Sequence, residues 1–271
     1  MIPIYLFTFL LGTIVGSFLG VVADRVSNNE SIWRGRSHCD HCRHKLHWND
    51  LIPLVSFLML KRKCRYCHKE LDWNYFIIEL VTGLTYVLAT YALFQNNVSM
   101  ALELQYNFVL LYYFAITSAL IAIAFTDIKY GIIPFKVVGV AATIVVFWYF
   151  LFPGLYITPL EAAGLGLQID ILNSLASGIG VALFFFALFM ITKGRGLGFG
   201  DVVYAFLMGL VLGFPNVILA LYLAFVTGAI VALLLILTKK KKFKGGTIPF
   251  GPFLVTGTIV SLFWGNQLIT V

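Results

Sequence analysis

The chain has 271 residues, of which 60% are hydrophobic and 11% charged, and its net charge is +7. An average soluble domain is about a quarter charged, so an ordinary globular fold is excluded and a protein immersed in lipid is expected. The positive balance does not point to nucleic acid, because the basic residues are scattered over several short loops beside apolar runs.

A helix needs about 20 apolar residues to cross a bilayer. Such runs are expected near 2–22, 75–95, 106–126, 131–152, 170–191, 201–213, 216–238 and 248–270. The sixth is short for a crossing, and its separation from the seventh rests on Gly213-Phe214-Pro215-Asn216. The pattern predicts an all-α polytopic membrane protein of about eight transmembrane helices with a cytoplasmic zinc-knuckle loop domain. The expected organisation is a first transmembrane helix over 1–23, the loop domain over 24–74 and a membrane core over 75–271. The first span is read as a retained helix rather than a secretory signal. No basic residue precedes it, while Arg25, Arg34 and Arg36 follow it.

Orientation follows from the Lys and Arg residues. Ten of the nineteen lie in 24–74. Alternation of the spans puts Lys129, Lys136, Lys193, Arg195 and the five lysines between Lys239 and Lys244 on the same side. None remains for the loops near 96–105 and 153–169. The positive-inside rule makes that side cytoplasmic and the N-terminus extracytoplasmic, in an inner membrane, with the lipid bilayer as a standing partner.

The 24–74 segment holds all four Cys and all five His. Cys39-Asp40-His41-Cys42 and Cys64-Arg65-Tyr66-Cys67 are two C-x-x-C pairs separated by 21 residues. Two intervening residues let both sulfurs of a knuckle face one ion, and two knuckles complete a tetrahedral four-thiolate zinc site. A cytoplasmic loop disfavours disulfides. Four thiolates leave no open coordination position, so a structural zinc is expected; His38, His41, His44, His47 and His68 are read as solvated loop residues, the alternative being that one of them replaces a Cys ligand. Between the knuckles, Leu51 to Leu60 is apolar but too short to span, and an interfacial or buried helix is expected there.

Asp127 and Asp201 stand at the ends of apolar spans. Ionisable groups at membrane depth are costly and are functional candidates by default. Two carboxylates are also the minimal equipment for activating a water against a peptide bond. Asp201 follows alternating Gly194, Gly196, Gly198 and Gly200, which permit a tight turn and close approach of an extended chain. Ile248-Pro249-Phe250-Gly251-Pro252 should hold a non-helical entry to the last span. Helix polarity assigns the negative charge to Asp201, at a helix start, and the proton to Asp127, at a helix end. Glu79, early in the second span, is either a first-turn acid favoured by the helix dipole or a contact of the loop or the substrate.

These marks occur together and in order: Gly16-Ser17-Phe18-Leu19, Arg36-Ser37-x-Cys39-x-x-Cys42, Asp50-Leu51-Ile52-Pro53-Leu54-Val55-Ser56, Cys64-x-x-Cys67, Glu79-Leu80, Asp127 with Ile133-Pro134, Gly198-Phe199-Gly200-Asp201 and Pro249-Phe250-Gly251-Pro252. In this the chain resembles the bacterial prepilin peptidases, the type IV leader peptidase family of G-x-G-D intramembrane aspartic peptidases. The resemblance covers nearly the whole chain. It implies cleavage of type IV prepilins or pseudopilins after the glycine that ends a basic leader, on the cytoplasmic side. Asp127 and Asp201 match the catalytic aspartates. Gly198, Gly200, Pro134, Pro249, Gly251 and Glu79 are candidates for the substrate site. Cys39, Cys42, Cys64 and Cys67 match the zinc-knuckle loop of members that also methylate the new N-terminus from S-adenosylmethionine. The chain departs from the family pattern at Gly20, where Asn is usual, at Ser27 (Pro), at Val203 (Lys) and at Phe135 (Asp or Asn). A peptidase without methylation and a non-catalytic zinc-knuckle assembly factor are the competing readings.

Overall fold

The structure is a computed structural model that describes residues 2–28, 30–32, 35–39, 41–94, 104–152, 171–194, 196–238 and 249–269. The expected basic run at 239–244, the residues Arg34 and Arg195, and the loops at 96–103 and 153–169 lie outside the described residues. Nine helices are described: α1 (Ile2–Ser27), α2 (Val55–Met59), α3 (Trp73–Phe94), α4 (Leu104–Tyr130), α5 (Phe135–Leu151), α6 (Ile171–Thr192), α7 (Phe199–Leu212), α8 (Asn216–Leu237) and α9 (Gly251–Ile269). Among the described residues six are long and apolar enough to cross a membrane, and α5 and α7 are shorter apolar helices. The protein is therefore a multi-pass helical membrane protein, and the eight expected spans correspond to six long helices and two short ones.

The helix ends follow local chemistry more than hydropathy. The α3 helix starts two residues before the apolar run because Asp72 accepts the Asn74 N–H at 3.1 Å, a side-chain cap. The end of α4 is closed by Gly131, at φ +68°, whose N–H returns to the Asp127 carbonyl at 2.9 Å. Between α7 and α8 the division is real: Gly213, at φ +64°, closes α7, and Asn173 of α6 bonds both the N–H and the C=O of Phe214. The apolar stretch 51–60 forms a helix only over Val55–Met59, with Phe57 buried.

The chain forms two compact units, Met1–Phe125 and Thr126–Val271. In the first, α1 lies against α3. A Cβ on Gly12 would stand 2.8 Å from Gly83 Cα, and one on Gly16 would stand 2.7 Å from Glu79 Cα. In the second, α6 meets α7 backbone to backbone, with a Cβ on Gly209 2.6 Å from Gly178 Cα. Lipid tails are as apolar as Leu, so helices associate in a bilayer by close packing of small residues and by interhelical hydrogen bonds. Tyr149 to Ser174 (α5 to α6) and Tyr204 to Thr258 (α7 to α9) are such bonds, each 2.8 Å. Each contributes on the order of 0.6 kcal/mol.

Candidate active site and metal centre

The cysteine segment is built from two copies of one turn. Cys39 N–H bonds the His44 carbonyl at 3.0 Å and Arg43 N–H bonds the Cys39 carbonyl at 2.8 Å. The second knuckle repeats this with Cys64 to Lys69 at 2.9 Å and His68 to Cys64 at 3.0 Å. Equivalent residues Arg43 and His68 take positive φ, +55° and +56°. Bridges His38–Lys45 and Lys63–Glu70 close the two turns.

Folding brings all four sulfurs within 4.8 Å of one another, and Cys39 and Cys67 Sγ stand 3.9 Å apart. Thiolates about 2.3 Å from a tetrahedral zinc would be about 3.8 Å apart, so the donor set and its spacing fit that ion. Burial pushes the Cys64 thiol up, but the backbone N–H groups of Cys67 and Tyr66, together with the neighbouring Cys39 and Cys67 thiols, bring it down to about 7, while burial pushes the Cys39 thiol up to about 11. None of the described histidines joins the metal-competent group. His44 lies against Tyr66 with ring centroids 3.8 Å apart and the planes tilted by 32°. Asp50 ties the knuckles together, accepting from Arg65 Nε at 2.7 Å, Tyr66 O–H at 3.0 Å and the His47 N–H at 3.1 Å. Burial alone would raise the Asp50 carboxyl, yet these three donors hold it below its ordinary value.

Glu79 is not a first-turn acid. It is the seventh residue of α3, and its Oε2 accepts the Leu54 N–H at 2.7 Å. Leu54 has φ +60°, an uncommon conformation for a branched residue. Gly16 on α1, Leu54 in the loop and Glu79 on α3 therefore meet at one point, and the carboxylate anchors the loop to the helix pair.

The aspartates lie in the second unit. Asp201 is the third residue of α7, where its Oδ2 accepts the N–H of Gly198, the N-cap residue, at 2.9 Å. Glycine has no side chain to reciprocate, so only this half of a capping box exists. Asp127 lies in the last turn of α4, yet its Oδ2 accepts the N–H of Gly251, the first residue of α9, at 2.8 Å. Both carboxylates are thus held at helix N-termini, which removes the polarity difference that would assign the proton to Asp127. The α9 start supplies the positive end that the end of α4 lacks.

Asp127 and Asp201 are 7% and 9% exposed. Among the described residues the second oxygen of each has no protein partner, and neither is an enclosed orphan, so both remain accessible. The flanking landmarks converge. Gly200 lies against Ile133, where an added Cβ would stand 3.0 Å from the Ile133 Cβ. Phe135, next to Pro134, meets Phe199 edge-on at 6.3 Å. A Cβ on Gly251 would stand 2.6 Å from Asp127 Oδ2, so only glycine allows that N–H so close. Pro249 and Phe250 form the expected non-helical entry, with Gly251 and Pro252 in the first turn of α9. Nothing in the sequence marks Tyr204. It lies one turn below Asp201 on the same face, is fully buried, and fixes α7 to α9 through Thr258.

Fold and site together define a multi-pass helical membrane protein with two buried carboxylates, each bonded to a backbone N–H at a helix start. Residues 10–93 match the bacterial peptidase A24 N-terminal domain, and residues 114–233 match the type IV leader peptidase family. The chain is 30% identical over 262 residues to the prepilin leader peptidase/N-methyltransferase of Bacillus subtilis (strain 168), covering 97% of this chain and 95% of that protein. The proteins of the same name from Myxococcus xanthus (strain DK1622) and Aeromonas hydrophila are 30% and 25% identical. These matches cover 85% and 96% of this chain and 63% and 90% of those proteins. No solved structure matches the chain significantly. The chain belongs to the type IV leader peptidase family, a family of enzymes.

Proposed function

We propose that this protein removes the leader of type IV prepilins or pseudopilins by aspartic peptidase chemistry, with Asp127 and Asp201 as the catalytic pair. The observation that carries the reading is their shared geometry: each has one oxygen fixed by a backbone N–H at a helix start and the other accessible. Two close carboxylates in a poorly solvated site do not ionise together easily. The ionised one takes a proton from a water between them, and the protonated one donates to the scissile carbonyl oxygen. Gly198, Gly200, Pro134, Pro249 and Gly251 leave backbone beside the pair for an extended substrate segment. The scissile bond then lies at the cytoplasmic margin of the inner membrane, the side on which the basic residues gather.

In this reading Cys39, Cys42, Cys64 and Cys67 hold a zinc that supplies folding energy to the 24–74 domain and takes no part in hydrolysis. The relatives' names support a second step, methylation of the freed N-terminal amine with S-adenosylmethionine as donor. The test uses the full chain in lipid nanodiscs with added S-adenosylmethionine and a synthetic prepilin carrying a basic leader, a glycine and an apolar helix. Mass spectrometry should show loss of the leader and a methyl on the new N-terminus. A leader left intact would overturn the peptidase reading, and a cleaved, unmethylated product would reduce the function to peptidase alone.

A further inference from the structure

The apolar stretch 51–60 is too short to cross a bilayer, yet the fold carries it to membrane depth. The charged residues nearest the knuckles mark the edge of the first helix pair. Asp24 lies eight residues beyond Gly16 on α1, and Asp72 lies seven residues before Glu79 on α3. Gly16 packs against Glu79, and Asp24 receives the Tyr75 O–H at 2.9 Å, so both helices put that edge at one level. A helix rises about 1.5 Å per residue, so Glu79 lies roughly 10 Å inside the edge. The Leu54 N–H is bonded to its carboxylate at that depth. From there the chain returns. Phe57 rests on Trp73 and Phe76, with ring centroids 5.4 Å and 5.3 Å away, and the Arg62 guanidinium stands 5.6 Å from the centre of the Trp73 ring.

Irregular backbone at membrane depth must have its polar groups satisfied without bulk solvent, and must lean on protein. The tip of this loop meets both demands. Pro53 has no N–H. Leu54 donates to Glu79, and Val55 and Ser56 donate to the carbonyls of Pro53 and Ile52. Ser56 and Phe57 face inward, on a cavity shared with α1 and α3. The outer side is apolar: Val55, Leu58 and Met59 are 48%, 61% and 77% exposed, and Leu51 and Ile52 are exposed as well. Phe18 of α1 and Ile77 and Val81 of α3, in the same depth range, are also exposed. The outer side of the loop therefore continues the lipid-facing surface of the helix pair. Lys61, Arg62 and Lys63 follow in sequence where the chain regains the edge, the charge that suits a headgroup layer.

From this we infer that 51–59 is a re-entrant loop whose partner is the lipid of the leaflet beside the knuckles. Acyl chains cover Ile52, Val55, Leu58 and Met59, and Lys61 and Lys63 reach the headgroup layer. Glu79 is the buried acceptor that lets an irregular turn enter the membrane. The knuckle domain is thereby held to the bilayer at three places: α1, α3 and this loop. The inference goes beyond the peptidase reading and does not depend on it.

The test places the full chain in nanodiscs containing a small fraction of a phospholipid with a diazirine midway along one acyl chain. Irradiation and peptide mass spectrometry, which need no variant to fold, should find lipid adducts on 51–59 as well as on the exposed face of α3. Adducts on α3 with none on 51–59 would overturn the inference, whether water or a second copy of the chain covers the patch. Leu58→Glu should drive the loop out of the lipid, lowering its adduct yield at least tenfold and speeding amide exchange at 54–56. Leu58→Met should keep both at the wild-type level. A Leu58→Glu protein with wild-type adducts and wild-type exchange would also overturn it.

Discussion

The four-cysteine cluster and the carboxylate site are both four-point constructions, but they are assembled on different scales. Each knuckle is closed by main-chain bonds within six residues of its first cysteine, and the second copies the first. The carboxylate site joins groups far apart in the chain: the Asp127–Gly251 bond spans 124 residues. A site made of local turns carries its own instructions. A site made at helix ends depends on every helix arriving in register. The two should therefore fail differently.

The largest effect is expected at the local site. Structural zinc contributes on the order of 10 kcal/mol to the folding of small domains. Removing it with a chelator, or replacing Cys39 and Cys64 by Ser, should release one metal per chain and open 36–72 to limited proteolysis. The helices of 126–271 should stay protected, and digestion that spreads evenly over both units would break the comparison.

Next come the carboxylates themselves. Asp127→Asn and Asp201→Asn should each lower leader cleavage by about 10²–10⁴-fold, the usual span for removal of an acid–base group. Asn keeps an acceptor for the Gly251 or Gly198 N–H, so the helix starts should persist and the melting profile should stay near wild type. Substantial cleavage by either variant would remove the pair from the mechanism.

Gly251→Ala tests the long-range join without replacing a carboxylate. The new methyl would meet Asp127 Oδ2 at 2.6 Å and must push it aside. A displacement of about 1 Å costs on the order of 10²-fold in rate. The expected signature is a fall in kcat with little change in stability. An unaltered rate would mean that the Asp127 position is not set by α9.

The legibility of the sequence divides along the same line. The cysteine spacing carried the four-sulfur cluster, because the cysteines sit on turns that the spacing itself defines. The aspartates stood out because acids are rare at membrane depth, but their surroundings did not. Hydropathy placed Asp127 at an unfavourable helix end, and only the fold supplies the answering N-terminus of α9. Glu79 was open to a first-turn reading because hydropathy starts its span at residue 75. The Asp72 cap moves that start to Trp73 and leaves Glu79 too deep for such a role. Tyr204 gave no signal, since a Tyr in an apolar run is common and its partner Thr258 is distant in sequence.

A smaller effect is expected where the loop is pinned to the helix pair. Glu79→Ala would leave the Leu54 N–H without its acceptor, a loss of about 1–3 kcal/mol for a buried group. Glu79→Gln keeps an oxygen there and should cost less. Hydrogen exchange at Leu54 and its neighbours reads the difference directly. Equal exchange in the two variants would show that the loop is held by the metal alone.

The finest distinction concerns pH and the Asp50 link between the knuckles. Its carboxyl is held below the ordinary value, so the folded state favours the ionised form more than the unfolded chain does. Its contribution is therefore fully present above the ordinary carboxylate range and is lost as pH falls through the lower folded value. Acidification should loosen Arg65 and Tyr66 from Asp50, and Trp48, exposed two residues away, offers a fluorescence readout. Thiolate ligands also protonate in acid, so the comparison must be with Asp50→Asn, which leaves the cysteines in place. The wild-type change should contain a step that the variant lacks. Superimposable profiles would mean that the knuckles are joined through the metal alone, and the local site would then be simpler than its hydrogen bonds suggest.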